Sequence, residues 1–376
     1  MSEPAGASTA DRAPGERTMG SMSHPALRTP FCELVGVKYP IVQTGMGWVA
    51  GPRLVAATAN AGALGILAGA TMTADQFESA IREVKERTDN PFGVNMRGDQ
   101  PDAFDRADVM IREGVRVASF AQAPSAPLIQ KLKDAGLVVM PTIGAKRHAE
   151  KVADIGVDAL IAQGGEGGGH TGTVPTSLLL PQVTETVDVP VIGAGGFFDG
   201  RGLVAALAYG AAGVAMGTRF LLTQESTVPD AVKAEYLKTP VTGTVVSTRI
   251  DGYPQRVIRT KFVDHLERTG RLMAYPRAAL NALRFQKLTG TKTKDLLTEG
   301  KAMHDNQGLA WHQVALAANA PMLTKATLVD GDVEVGILPT GQVVGVIEEL
   351  PTVAELVQRI MGEAEAVLTR LGSAGA

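Results

Sequence analysis

Eight short apolar runs recur between residues 40 and 219, separated by segments of helical period, and this rhythm constrains the fold more than any other feature. The runs are "PIVQT" (40–44), "ALGILAG" (63–69), "PFGVNM" (91–96), "VRVASF" (115–120), "LVVMPTI" (137–143), "ALIAQG" (159–164), "PVIGAGG" (190–196) and "GVAMGTR" (213–219). They are apolar nearly throughout instead of alternating, as parallel strands covered on both faces are. Between them, "TADQFESAIREVKERT" (73–88) opens on a Thr cap and spaces Phe77, Ile81 and Val84 by four and three. "SAPLIQKLKDAG" (125–136) and "DGRGLVAALAYG" (199–210) both end on glycine, and the second opens on an Asp cap. Eight strand–helix units predict an α/β fold, a (β/α)8 TIM barrel over residues 26–239. A doubly wound open sheet is the competing arrangement and would use fewer repeats.

Outside that rhythm the chain divides further. Residues 1–25 are rich in Ala, Ser, Gly and Pro without an apolar core, which reads as a disordered tail and not a secretory signal. Past residue 240, "TGTVVSTRIDGYPQRVIRTKFV" (242–263) is strand-like with a turn at Asp251–Gly252, and 264–320 reads as helices rich in Arg, Lys and Leu. Residues 240–334 are therefore expected to form an appended, mostly helical subdomain or lid, and 335–372 a turn and an amphipathic helix that returns to the barrel.

Composition narrows the function classes. A net charge of −3 with no basic stripe argues against nucleic acid. No run of 18 apolar residues occurs, so no membrane span is expected. The single cysteine, Cys32, excludes an internal disulfide and a cysteine-rich zinc site, and suits a reducing cytoplasm. The 43 glycines exceed the usual share of about 7% and point to tight loops or backbone–ligand contacts. A small-molecule substrate fits, and a homo-oligomer is left open.

In a (β/α)8 barrel the chemistry lies at the C-terminal ends of the strands. There stand "TGMGW" (44–48), Asn95, Gln163 leading into "GGEGGGH" (164–170), "GAGGFFDGRG" (193–202) and "GTRF" (217–220). The loops after the seventh and eighth strands are the usual phosphate site of this fold, where Gly195, Gly196, Gly217 and Thr218 would supply donors. Ordinary tight turns are the plainer reading of each loop alone. One phosphate and a planar ring over the mouth fit FMN. On that reading, side chains in "GGEGGGH" would collide with the ring, and His170 would stand beside its reactive edge as a base. His170 could instead cap a turn or bind the phosphate. Glu166 is a second candidate base, or a brace for the loop backbone. The histidines and carboxylates show no metal-ligand spacing.

"QGGEGGGHTG", "GAGGFFDGRG", "GTRFLLT" and "GQVVGVI" together resemble the nitronate monooxygenase family, formerly 2-nitropropane dioxygenases, over residues 28–260 and 336–368. The resemblance implies an FMN-binding barrel with His170 as catalytic base. It implies FMN contacts at Gly45, Met46, Asn95, Gln163, Gly168, Gly169, Gly195, Gly196, Gly217 and Thr218, with Thr142 as a further one. The family includes flavin-dependent enoyl-thioester reductases, and an actinobacterial branch acting as acyl-CoA dehydrogenases on steroid C/D-ring fragments. "QTGMGWVAGPRLVAATANAGALGIL" and "AMGTRFLLTQESTVPDAVK" are most similar to that branch. The implied substrate is an acyl-CoA or a nitronate, with O2 or NAD(P) as electron partner. Arg259, Lys261, Arg268, Arg271, Arg277, Arg284 and Lys287 could meet a CoA phosphate, or form a solvated helical face. A barrel holding FMN only as a sensor would have no need of His170.

Overall fold

Eight parallel strands close on themselves in chain order: β1 (Ile41–Gln43), β2 (Leu64–Ala68), β3 (Gly93–Met96), β4 (Val117–Phe120), β5 (Val138–Ile143), β6 (Leu160–Gln163), β8 (Val191–Ala194) and β9 (Gly213–Met216). The computed structural model describes residues 24–121, 123–268, 283 and 319–373. Closure is made at β1, where Gln43 pairs with Gly65 on one side and Met216 on the other. The expected TIM barrel is the fold.

Alternation along the strands sorts side chains into two layers. Val42, Ile66, Val117, Met140, Ile161 and Ile192 fill the barrel, and Phe31 and Val35 from the helix Pro30–Val35 join them. Ile41, Leu67, Val94, Val139 and Leu160 point outward and pack under the helices. Because both faces are buried, the strands carry no polar alternation, which is why they read as continuous apolar runs. The helices start and stop where side-chain chemistry dictates. Thr73 and Gln76 form a reciprocal capping box at the head of Ala74–Arg87. Asp199 accepts from the Gly202 amide at the head of Gly200–Ala208. Phe77, Ile81 and Val84 are fully buried on the first of these helices, each contributing about 1.5–3 kcal/mol. The long helix Val353–Ser373 lies against Gly200–Ala208 and Pro52–Asn60. It comes so close at Gly200 that any side chain there would strike the Ala364 backbone.

One sheet stands outside the barrel. β10 (Thr244–Ser247) and β11 (Gln255–Ile258) form an antiparallel hairpin around the expected turn at Asp251–Gly252. β11 also pairs with β7 (Gly169–His170), a two-residue strand in the excursion that follows β6, so the order is β10-β11-β7. Beyond the hairpin, Lys261–Arg268 and Asn319–Leu328 are helical. Arg271, Arg277, Arg284 and Lys287 lie outside the described residues. Among the described residues no helix is long and apolar enough to cross a membrane.

Candidate active site

The barrel interior changes character at its C-terminal end. Above the aliphatic layers, the same inward face of the strands continues into Asn95, Ser119, Thr142 and Gln163, so hydrocarbon gives way to amides and hydroxyls. Asn95 Nδ2 donates to Ser119 Oγ at 3.4 Å. Thr44, Gly45, Met46, Asn95, Thr142, Gln163, Gly195 and Gly217 are all half-buried, in contrast to the fully buried strand residues beneath them. A ring of small and polar residues around an open mouth suits a flat, polar-edged ligand seated on the barrel. A side chain at Gly45 would run into Asn95, and one at Gly217 would meet Met46 Sδ at 3.4 Å, so the loops after the paired strands β1 and β9 touch at the rim.

Beside the mouth, the loops after β8 and β9 are neighbours because their strands pair. Gly195 and Gly196 hold φ of +100° and +82°, backbone that a side chain would strain. Thr218 opens the short helix Thr218–Leu221. Its hydroxyl accepts from the Gly341 amide at 3.0 Å and lies 3.1 Å from Thr340 Oγ1. The turn at 340–342 thus forms a third wall, held on its far side by Gln342 N donating to Glu166 O at 3.0 Å. These loops and the 340–342 turn form a glycine-lined cradle that brings Gly195, Gly196, Gly217 and Thr218 together.

The adjoining part of the site, beyond β6, is built from distant segments. Pairing with β11 sets His170 directly across from Gln255. His170 Nε2 lies 2.7 Å from Asp251 Oδ2, and Gln255 Nε2 donates to the same oxygen at 2.6 Å. Asp251 Oδ1 accepts from the Tyr253 amide at 3.2 Å. The Asp251 side chain is 5% exposed and that of His170 62% exposed, so a buried carboxylate backs an open imidazole. The Tyr253 ring stands edge-on to the imidazole with centroids 5.7 Å apart. Burial first, then Asp251 and Asp99, push its phenol above the usual range, so it stays protonated at neutral pH. Gln163 Nε2 donates to the His170 carbonyl at 2.7 Å, tying this strand to the barrel mouth. Arg256 clamps the glycine-rich loop to the hairpin, donating to Gly165 O at 2.8 Å and to Thr244 Oγ1 at 3.0 Å; burial pushes its pKa down.

The glycines of 164–169 need a different account from the one composition suggests. A side chain at Gly164 would strike Thr176, at Gly167 the Gln163 amide, and at Gly168 the backbone of Thr340 and Gly341. These three make room for protein. Gly169 faces open space within 4 Å, and its constraint is a φ of +67°. Glu166 proves to be a brace: its carboxylate accepts from Thr176 N at 3.0 Å and Thr176 Oγ1 at 2.7 Å, at the head of the helix Thr176–Thr184. The sequence did not single out Ser119, Tyr253, Gln255 or Thr340; Gly341 figured only as the first residue of the GQVVGVI motif, and Asp251 read only as a turn residue. Of the basic residues considered for CoA, Arg259 is paired with Asp264 at 2.8 Å and Arg268 donates to the Asp264 carbonyl at 3.2 Å. Trp48, on the loop after β1, takes φ +67° and donates from Nε1 to Pro321 O at 3.1 Å, which fastens the mouth to the helix Asn319–Leu328. Among the described residues no group of His, Cys, Asp or Glu could hold a metal ion.

The family model for nitronate monooxygenase matches residues 28–363. A protein of Rhodococcus jostii named (3aS,4S,5R,7aS)-5-hydroxy-7a-methyl-1-oxo-octahydro-1H-indene-4-carboxyl-CoA dehydrogenase is 59% identical over 347 residues, 92% of this chain and 98% of its own. Its namesake from Mycobacterium tuberculosis is 58% identical over 353 residues, 93% of this chain and 99% of its own. The structure of FabK from Thermotoga maritima superposes with a TM-score of 0.74 at 33% identity, covering 92% of this chain and 99% of that one.

Proposed function

The chain belongs to the nitronate monooxygenase family, and on that premise we propose that it is an FMN-dependent dehydrogenase of a fused-ring acyl-CoA thioester. That it is an oxidoreductase acting on a small molecule follows from its relatives. The thioester substrate is taken from the two actinobacterial dehydrogenases, which match this chain along nearly its whole length. The observation that carries the reading is the contact between His170 and the buried Asp251 at 2.7 Å, on the loop next to the glycine-lined cradle.

A thioester acidifies the adjacent C–H, and the task left to the protein is to remove that proton where an electron acceptor is close by. His170 is the base. Asn95, Thr142 and Gln163 line the floor of the flavin site with Gly45 and Met46, while Gly195, Gly196, Gly217 and Thr218 hold its phosphate. Gly168 shapes the cradle by seating the 340–341 turn, and Gly169 by carrying the strand that presents His170. When bound, the flavin supplies the two-electron acceptor. The cradle is read as the seat of a single phosphate, which favours FMN over a dinucleotide. We read residues 26–239 as the flavin-binding barrel, 240–334 as a lid docked through Trp48, and 335–372 as the segment that completes the cradle and returns to the barrel. The onward acceptor of those electrons would be O2 or NAD(P).

Nitronate oxidation is the second reading, favoured by the family model that spans the chain. Anaerobic stopped-flow mixing separates the two. A cyclic acyl-CoA should bleach the flavin, and a nitronate should do so slowly or not at all. Bleaching by nitronates alone would replace the first reading with the second. Cofactor released by heat should chromatograph as FMN; FAD would overturn the cradle assignment.

A further inference from the structure

We infer that His170 accepts the substrate proton on Nδ1, because Asp251 fixes the imidazole hydrogen on Nε2; Asp251 is then a positioning residue for the base. This rests on His170 being the base, as proposed above. The inference starts from counting donors. Oδ2 of Asp251 receives Gln255 Nε2 at 2.6 Å and faces His170 Nε2 at 2.7 Å, while Oδ1 receives the Tyr253 amide at 3.2 Å. A carboxylate surrounded by donors has no proton to give, so the hydrogen between Nε2 and Oδ2 belongs to the imidazole. Gln255 Nε2 also lies 3.1 Å from His170 Nε2. Turning that amide over would press its oxygen against Asp251 Oδ2, so the amide nitrogen must face the carboxylate, and Gln255 offers the ring no acceptor. With Nε2–H committed, the lone pair sits on Nδ1, which no described group hydrogen-bonds. The imidazole is 62% exposed, so that edge is reachable.

In the step itself the substrate's α C–H bond breaks, its proton forms the Nδ1–H bond, and the electron pair stays on the substrate as the enolate. The resulting imidazolium lies against the Asp251 carboxylate, which compensates its charge without taking a proton.

Two measurements test this. Nitrogen-15 NMR of the histidine-labelled holoprotein, with His170 assigned by comparison with His170→Asn, should show Nδ1 unprotonated and Nε2 protonated. The reverse tautomer overturns the inference whatever the substrate proves to be. In Asp251→Ala the remaining neighbour of Nε2 is the Gln255 donor, so the tautomer should invert. Flavin reduction by the neutral acyl-CoA should then fall by up to about 10⁴-fold, the scale seen when a base histidine loses the carboxylate that sets its tautomer, while a pre-ionised nitronate, where it reacts, is affected much less. An unchanged rate with the acyl-CoA removes the positioning role. If wild type reduces with no acyl-CoA, the proposed function fails, and the wild-type tautomer still decides this inference.

Discussion

On one side of the barrel mouth, Gly195, Gly196, Gly217 and Thr218 follow directly on the strands that carry them, and each is placed by a few residues of local chain. Beside them, beyond β6, His170 rides a two-residue strand whose partners Asp251 and Gln255 stand 81 and 85 residues later in sequence. Two walls of the cradle are a property of the barrel, since the pairing of β8 and β9 brings their loops together, and the 340–342 turn adds the third from far along the chain. The base is a property of the hairpin, since without β11 nothing would hold the imidazole against a buried carboxylate. The difference teaches that cofactor binding and proton removal are separable here, and that each can be damaged alone.

The largest effect should come from the base side. His170→Asn is expected to cost about 10²–10⁴-fold in flavin reduction by a neutral acyl-CoA, the usual worth of a positioned general base. FMN should stay bound in that variant, as stopped-flow absorbance at equal flavin concentrations can check. On the cradle side, Gly168→Ala adds a methyl that would strike the 340–341 backbone and pull that turn from Thr218. Overpacking of this kind costs about 1–3 kcal/mol, or roughly 5–150-fold in FMN affinity if it falls wholly on the turn. Titrating apoprotein with FMN measures it. Gly169→Ala makes a control on the adjacent residue. Nothing lies within 4 Å of the added methyl, so only the left-handed φ is strained, by about 1–2 kcal/mol. That loss should appear in thermal denaturation with FMN affinity retained, and an affinity loss equal to that of Gly168→Ala would place the ring against the loop after all.

Smaller effects sharpen the same contrast. Glu166→Gln keeps the shape of the brace at Thr176 but weakens its hydrogen bonds, which should lower stability by about 1 kcal/mol while leaving acyl-CoA turnover intact. A turnover loss with unchanged stability would make Glu166 a base. Trp48→Phe removes the donor to Pro321 O and is expected to cost about 0.5–1.5 kcal/mol. If the helix Asn319–Leu328 belongs to a lid, the KM for acyl-CoA rises with it; an unchanged KM would leave the contact structural.

Most of the barrel could be read from residues 40–219 because burial on both faces writes each strand as an apolar run. Asn95 and Gln163 could be read for the complementary reason: an amide that ends such a run has left the hydrocarbon layer. The base's partners could not. An Asp-Gly pair in a hairpin looks the same whether its carboxylate faces water or a histidine, and β7 is too short to show any period. The glycine-rich loop misled in part, since composition cannot distinguish a glycine that yields to a ligand from one that yields to Thr176 or to the 340–341 backbone. The part played by Thr340 and Gly341 was hidden by distance, as they meet Thr218 across 122 and 123 residues of chain.

The separation of the two sides is tested most directly by crossing them in one experiment. Bound flavin per chain and the rate of anaerobic reduction per bound flavin by the neutral acyl-CoA are measured for Gly168→Ala and His170→Asn beside wild type. The account predicts opposite failures: Gly168→Ala loses flavin, and the fraction that remains is reduced at close to the wild-type rate, whereas His170→Asn keeps its flavin and loses the rate. If both quantities fall together in both variants, cradle and base are one structural unit and the division drawn here is wrong.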